Sequence, residues 1–181
     1  MARTLRVAAV AVCLTIASGC ATTMTVSSHV RDGLDITQYH TYDWGPADAL
    51  PTGDPRLDQD PFFKDHVQGA VEKGLAAKGL RLSDSGTPDL LIHYHASISN
   101  RIDVNATERE YGYCQGVDCQ SWVVEYEAGT LVLDFVDART NRLIWRGWAQ
   151  DSVEDVLGNQ DRMARKIDEA VTRMLARFPQ P

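Results

Sequence analysis

Gly129-Thr-Leu-Val-Leu-Asp-Phe-Val-Asp-Ala-Arg-Thr-Asn-Arg-Leu-Ile-Trp-Arg-Gly-Trp-Ala149 is the stretch whose reading decides the fold. Leu131, Leu133 and Phe135 alternate with Val132, Asp134 and Val136, the period of a strand with two different faces. Asp137 to Arg142 is rich in turn formers, and the apolar run resumes at Leu143, Ile144, Trp145 and Trp148. The pattern predicts two strands around a tight turn, with Asp137 accepting hydrogen bonds from that turn. A hairpin alone is marginal in water, so this one requires a wider sheet and helices to cover it.

Those elements are found on either side. Upstream, Leu90 to Ile98 alternates as a strand, with Leu90, Ile92, Tyr94, Ala96 and Ile98 on the core face and Leu91, His93, His95 and Ser97 on the other. Asn100 to Ser121 is polar and reads mostly as an excursion, with a strand expected near Arg101 to Ala106. Thr25 to Val30 and the aromatic run Tyr39 to Trp44 are β-prone. Ala47 to Asp60 reads as a long loop. Asp60-Pro61 caps a helix whose apolar stripe is Phe63, Val67, Val71 and Leu75, and Lys78-Gly79 ends it. Gly69 and Gly74 are expected to bring that helix close to the sheet. Downstream, Asn159 caps a second helix with the stripe Met163, Ile167, Ala170, Val171, Met174 and Phe178. Arg162, Arg165, Lys166 and Arg173 are expected on its solvent side. Strand runs with two separated amphipathic helices predict an α+β fold: an antiparallel or mixed sheet with both helices packed on one face, in a single domain over residues 25–179. The order of the strands is not readable from the sequence.

Residues 1–19 stand apart. Arg3 and Arg6 precede an apolar run from Val7 to Ile16, and the small residues Ala17-Ser18-Gly19 precede Cys20. This is the pattern of a secretory leader, and the apolar run is shorter than the roughly 20 residues a membrane-spanning helix needs. Ala-Ser-Gly-Cys resembles the lipobox of bacterial lipoproteins, with Ala17 where leucine is usual. The resemblance implies that Cys20 is lipidated, with palmitate among its acyl chains, that it becomes the first mature residue, and that residues 20–24 form a short tether. The other reading is ordinary secretion with an unmodified Cys20. Ala21 in place of aspartate resembles the sorting signal of outer-membrane lipoproteins, which implies a periplasm-facing protein of a Gram-negative outer membrane.

The formal charge is −7, and it becomes −9 when Arg3 and Arg6 leave with the leader. So acidic a domain lacks the electrostatic footprint for a phosphate backbone, which excludes nucleic acid as a partner and argues against adhesion to an anionic membrane through the domain. Cys114 and Cys119 remain once Cys13 and Cys20 are accounted for. In an oxidising periplasm such a pair reads as a disulfide, worth roughly 2 kcal/mol for so short a loop. Free thiols are the first alternative, and redox or metal chemistry the second.

Several motifs then fall in order: the lipobox, Tyr-x-Thr-Tyr-x-Trp at Tyr39 to Trp44, Lys78-Gly79, Pro-Asp-Leu at Pro88 to Leu90, Gly-Thr-Leu-Val-Leu-Asp at Gly129 to Asp134, Leu-Ile-Trp-Arg-Gly at Leu143 to Gly147, and Phe178-Pro179. Together they resemble the domain-of-unknown-function 4136 family of Gram-negative envelope lipoproteins over nearly all of the mature chain. The resemblance implies an α+β domain on a lipid tether and carries no catalytic residues. The Cys114/Cys119 pair is not a mark of that family.

Little in the chain resembles reactive chemistry. His93 and His95 share a strand face and are a candidate ligand or metal pair that lacks a third ligand; two polar residues on a half-exposed face is the plainer reading. Glu125 and Glu127 also share a face, as in a solvated acidic strand. No Gly-x-Ser-x-Gly, His-Glu-x-x-His or phosphate-loop pattern occurs. The expectation is a non-enzymatic cell-envelope lipoprotein without a cofactor, acting as a binding or assembly module with an envelope protein partner. Its partner contacts would be Asn100 to Trp122 and the open sheet face. A small-ligand or lipid carrier with a cleft between helices and sheet is the second expectation, and a metal-dependent hydrolase using His93 and His95 the third. Oligomeric state is not readable from the sequence.

Overall fold

The computed structural model describes residues 24–46, 54–58, 60–84, 86–103 and 124–180. The leader, Cys20, Cys114 and Cys119 lie outside the described residues. Among those described, no helix is long and apolar enough to cross a membrane.

Six strands form one mixed sheet: β1 (Thr25–Val30), β2 (Thr41–Trp44), β3 (Arg81–Leu82), β4 (Leu90–Asp103), β5 (Val124–Asp137) and β6 (Arg142–Ser152). Their spatial order is β1-β6-β5-β4-β2-β3. The β1, β6, β5 and β4 neighbours pair antiparallel, whereas β2 runs parallel to both β4 and β3. The helices are α1 (Pro55–Asp58), α2 (Pro61–Ala76) and α3 (Gln160–Leu175). The fold is therefore α+β, as expected, with α2 and α3 packed together over one face of the sheet.

The hairpin that anchors the sequence reading is β5–β6. Asp137 Oδ1 accepts from the backbone N–H groups of Arg139 at 3.0 Å and Thr140 at 2.7 Å, which closes the turn as expected. Alternation fails at Ile144-Trp145, and the structure gives the reason. Phe135 faces Trp145 and Val136 faces Leu143, so Ile144 is an extra, bulged residue, and both Ile144 and Trp145 are buried.

The helices begin where their caps predict. Asp60 Oδ1 accepts from the Phe62 N–H at 2.8 Å, and Asn159 Oδ1 from the Arg162 N–H at 3.0 Å. The stripes Phe63, Val67, Val71, Leu75 and Met163, Ile167, Ala170, Val171, Met174 are all buried. Gly79 adopts φ +84°, and the Leu80 N–H reaches back to the Leu75 carbonyl at 3.1 Å, so the chain leaves α2 through a glycine stop.

Four expectations need correction. The stretch read as a loop from Ala47 to Asp60 contains the short helix α1. The strand read as Leu90 to Ile98 continues to Asp103, because β5 supplies partners as far as Val124. Gly74 brings α2 close to α3 rather than to the sheet: a Cβ there would collide with Leu175 Cδ1. Lys166 leaves the solvent face and pairs with Asp151 at the sheet end.

At one end of the helix–sheet layer the core is aromatic. Phe135, Trp145 and Phe178 are fully buried, with ring centroids 4.8–5.4 Å apart. Gly147 lies beneath the Trp145 ring, and a Cβ there would overlap ring carbons Cη2 and Cζ2. Because Phe135 and Phe178 hold that ring, Gly147→Ala is expected to cost about 1–3 kcal/mol, as overpacking of a filled core does. Urea denaturation checks this; an unchanged midpoint would mean the ring moves freely.

Candidate functional site

Two places on the domain combine shape with chemistry: an apolar cleft under α3 and a charged row on the sheet face opposite the helices.

The cleft lies at the end of the layer opposite the aromatic cluster. Where rings fill the space at the Trp145 end, small residues leave it open here: Gly129 on β5, Ala149 on β6 and Ala170 on α3. Met24, Leu57, Phe63, Ile98, Leu131, Val156, Met163 and Ile167 complete the walls. A Cβ on Gly129 would collide with Val153, so the segment after β6 can lie against β5 only because position 129 is glycine. At the rim the Lys166 ammonium donates to Asp151 Oδ2. The cavity measures about 90 Å³, well below the roughly 300–1,000 Å³ of a pocket for a drug-sized molecule. Such a space admits a slender hydrocarbon segment, not a ring system with substituents.

The charged row runs across four strands. His29, Arg146, Asp134 and His93 stand in register on β1, β6, β5 and β4. Arg146 donates from Nε to Asp134 Oδ1 at 2.6 Å and from Nη2 to Oδ2 at 2.5 Å, a bidentate pair. That pairing raises the Arg146 guanidinium pKa, with burial opposing. His95 Nε2 sits 3.8 Å from the same carboxylate, and its Nδ1 is buried with no hydrogen-bond partner among the described residues. Burial lowers the His95 pKa against the pull of Asp134. His93 has Gly45 against its imidazole, where a Cβ would overlap the ring.

The structure thus places His93 and His95 on one face, as the strand period predicts, and adds Asp134 beside them. The row does not assemble a metal centre: Asp134 spends both oxygens on Arg146, and no group of three ligands is present among the described residues. Glu127 is bound by Arg56 at 2.9 Å, and Arg56 also holds Asp54 at 2.8 Å, so this acidic strand end is tied to α1. Asp137 joins distant parts of the chain, because its Oδ2 accepts from the buried Tyr39 hydroxyl at 2.9 Å.

The family model for the domain of unknown function DUF4136 matches residues 26–180. The chain belongs to the DUF4136 family. No curated protein matches it. Among solved structures, a PDZ domain protein from Parabacteroides distasonis is similar at 15% identity and a TM-score of 0.52, over 89% of this chain and 38% of that one. The DUF4136 chain therefore spans well under half the length of that relative, and the likeness is one of fold. A PelC dodecamer from Paraburkholderia phytofirmans is similar at 9% identity and a TM-score of 0.49, over 88% of this chain and 99% of that one.

Sequence reasoning raised a cleft between helices and sheet as its second expectation but did not place it. It named the helix stripes and strand faces that form its walls, but not the coincidence of Gly129, Ala149 and Ala170 at one level of the layer. The signal was present as three small residues on core-facing positions of three elements.

Proposed function

We propose that this DUF4136 domain is the binding module of an envelope lipoprotein, lipidated at Cys20 and held at the periplasmic face of the outer membrane, and that its ligand seat is the cleft under α3. The reading is of a non-catalytic protein that accommodates a linear hydrocarbon segment, such as the acyl chain of a lipid or fatty acid. The observation that carries it is the cleft itself: apolar walls from the helices and the sheet, with the Lys166–Asp151 ion pair at the rim. Burying apolar surface is worth about 25 cal/mol per Å², or roughly 0.8 kcal/mol for each methylene that enters the cleft.

The test uses the mature chain carrying Cys20→Ser, so that anchoring does not interfere, with radiolabelled palmitate as probe and unlabelled palmitate as competitor. Saturable binding of the label, displaced by the competitor, is expected. Ala170→Leu should abolish it while raising stability by about 0.5–2 kcal/mol, as cavity filling commonly does. Palmitate binding that survives Ala170→Leu would put the ligand elsewhere.

A second reading, a protein-docking role for the sheet face opposite the helices, is favoured by one observation. Val132 and Trp148 stand in register at its centre, only half-buried, beside the Arg146–Asp134 pair. Trp148→Ala should release a docked partner without unfolding the domain, read out by envelope crosslinking.

A further inference from the structure

The two edges of the sheet are not alike. β3, at one edge, is two residues long and carries Arg81, and a short charged strand is a common way of closing a sheet edge to further pairing. β1, at the other edge, is six residues long, Thr-Val-Ser-Ser-His-Val, with no proline, lysine or acidic residue. It keeps unbroken register with β6, from Thr25 opposite Gln150 to Val30 opposite Trp145, so no bulge turns it away. Among the described residues nothing pairs with its outer side.

Register decides which groups that side presents. The Arg31 N–H donates to the Ile144 carbonyl at 2.9 Å, which continues the β1–β6 ladder by one rung. Backbone groups alternate in direction along an antiparallel ladder. His29, Ser27 and Thr25 therefore also turn theirs to β6, and Val30, Ser28 and Val26 turn theirs outward. A strand added at this edge has to match those outward residues.

β1 matches itself. Turned antiparallel about Ser28, it sets Ser28 against the partner's Ser28 and Val26 against the partner's Val30, and every outward N–H meets an outward carbonyl. Centred on Ser27 or His29 instead, the pair would leave Val30 or Val26 opposite a residue outside the strand. The side chains favour the same register. Val26, Ser28 and Val30 stand opposite Ala149, Gly147 and Trp145 on the helix-covered face, and both valines pack partly buried against the core. Across the axis each valine meets the partner's other valine, so the apolar layer runs on from one copy to the next. On the opposite face Ser27 meets the partner's His29. No like charges are opposed there, which matters for an acidic chain that repels its own copy at long range. A two-fold contact of this kind consumes both β1 edges and closes at two copies.

We propose that β1 is a homodimer interface: two copies of this chain pair β1 with β1, antiparallel about Ser28, and join their sheets into one. The test uses the mature chain carrying Cys20→Ser in solution, where sedimentation equilibrium should show monomer and dimer in exchange. Ser28→Pro removes an outward N–H, so it spares the β1–β6 bonds and deletes both bonds on the two-fold axis. It should weaken the dimer about tenfold or more with an unchanged far-UV circular dichroism spectrum. Ser28→Cys reads the register without asking the strand to accept proline. Cα atoms paired in this way lie about 5.5 Å apart, within disulfide range, so mild oxidation should link position 28 to its own copy, as identified by peptide mass spectrometry. Thr25→Cys, about 20 Å from its own copy in this register, should form no such link. A chain that stays monomeric, which would leave the edge to a strand of another protein, overturns the proposal. So does an assembly larger than two, a dimer indifferent to Ser28→Pro, or a dimer in which position 28 does not link to itself.

Discussion

Replacing Trp145 with alanine is expected to lower the unfolding free energy by about 3–5 kcal/mol, the range for removing a large aromatic side chain from a core. Trp145 is fully buried and packs against Phe135 at 4.8 Å and Phe178 at 5.4 Å, so the cavity would be bounded by rings that cannot collapse into it without moving β5 or the end of α3. Since small domains are stable by only about 5–15 kcal/mol, the variant should be partly unfolded in mild urea. Trp145→Phe is the control. It keeps a ring between Phe135 and Phe178 and removes an indole N–H that has no acceptor among the described residues, so it should cost much less. Urea titration followed by far-UV circular dichroism separates the two. Equal losses for both variants would show that the indole shape, not ring packing in general, is what the core requires.

The second large effect is expected at Asp137. Its carboxylate closes the β5–β6 turn through the Arg139 and Thr140 N–H groups and accepts from the Tyr39 hydroxyl, itself only 8% exposed. Asp137→Ala removes three bonds and leaves a buried hydroxyl without its acceptor, which should cost about 2–4 kcal/mol. The same carboxyl makes stability depend on pH. Burial acts to raise its pKa, but the hydrogen bonds from Thr140 and Tyr39 prevail and hold it below the ordinary 3.8. The unfolded state therefore takes up protons first on acidification. The contribution is full above the unfolded value and is lost as pH falls through the lower native one. Asp89 adds the same sign, because the His40 N–H and then Thr41 lower its pKa by hydrogen bonding. Stability measured between pH 6 and pH 3 should fall for the wild type and fall less steeply for Asp137→Ala, with the Asp89 share remaining. An identical slope in both would mean Asp137 does not titrate with folding.

The two predictions test different kinds of glue. Trp145 holds β5, β6 and the end of α3 together without direction, through contact area. Asp137 holds a turn to the segment before β2 through three directed bonds, each of which fails if its partner shifts by an ångström. The segment before β2, a hairpin turn and a helix end are thereby fixed at the end of the domain away from the cleft, and the small residues lie at the other end.

Much of this was legible in residue order. Periods of two and 3.6, the Asp60-Pro61 and Asn159 caps, the Lys78-Gly79 stop and the Asp137 turn are local features, and local sterics and hydrogen bonding act on them in any context. The bulge at Ile144 was not legible, because it depends on which β5 residue stands opposite. Nor was the bidentate Arg146–Asp134 pair beside His95, since cross-strand neighbours are set by register. His93 and His95 could be placed on one face from their spacing, but that Arg146 would claim the nearest carboxylate could not.

By itself, the sequence determined the two long helices, the long strands, their buried faces and the α+β class, because each follows from interactions within a few residues. Only the tertiary structure decided the strand order, the departure of Lys166 from solvent to Asp151, the closeness of Gly74 to Leu175, and the cleft. Each of these depends on which distant side chains are brought to the same level of the helix–sheet layer. Gly129, Ala149 and Ala170 are ordinary small residues until packing sets them at one level of the layer, and then they leave a cavity of about 90 Å³ unfilled.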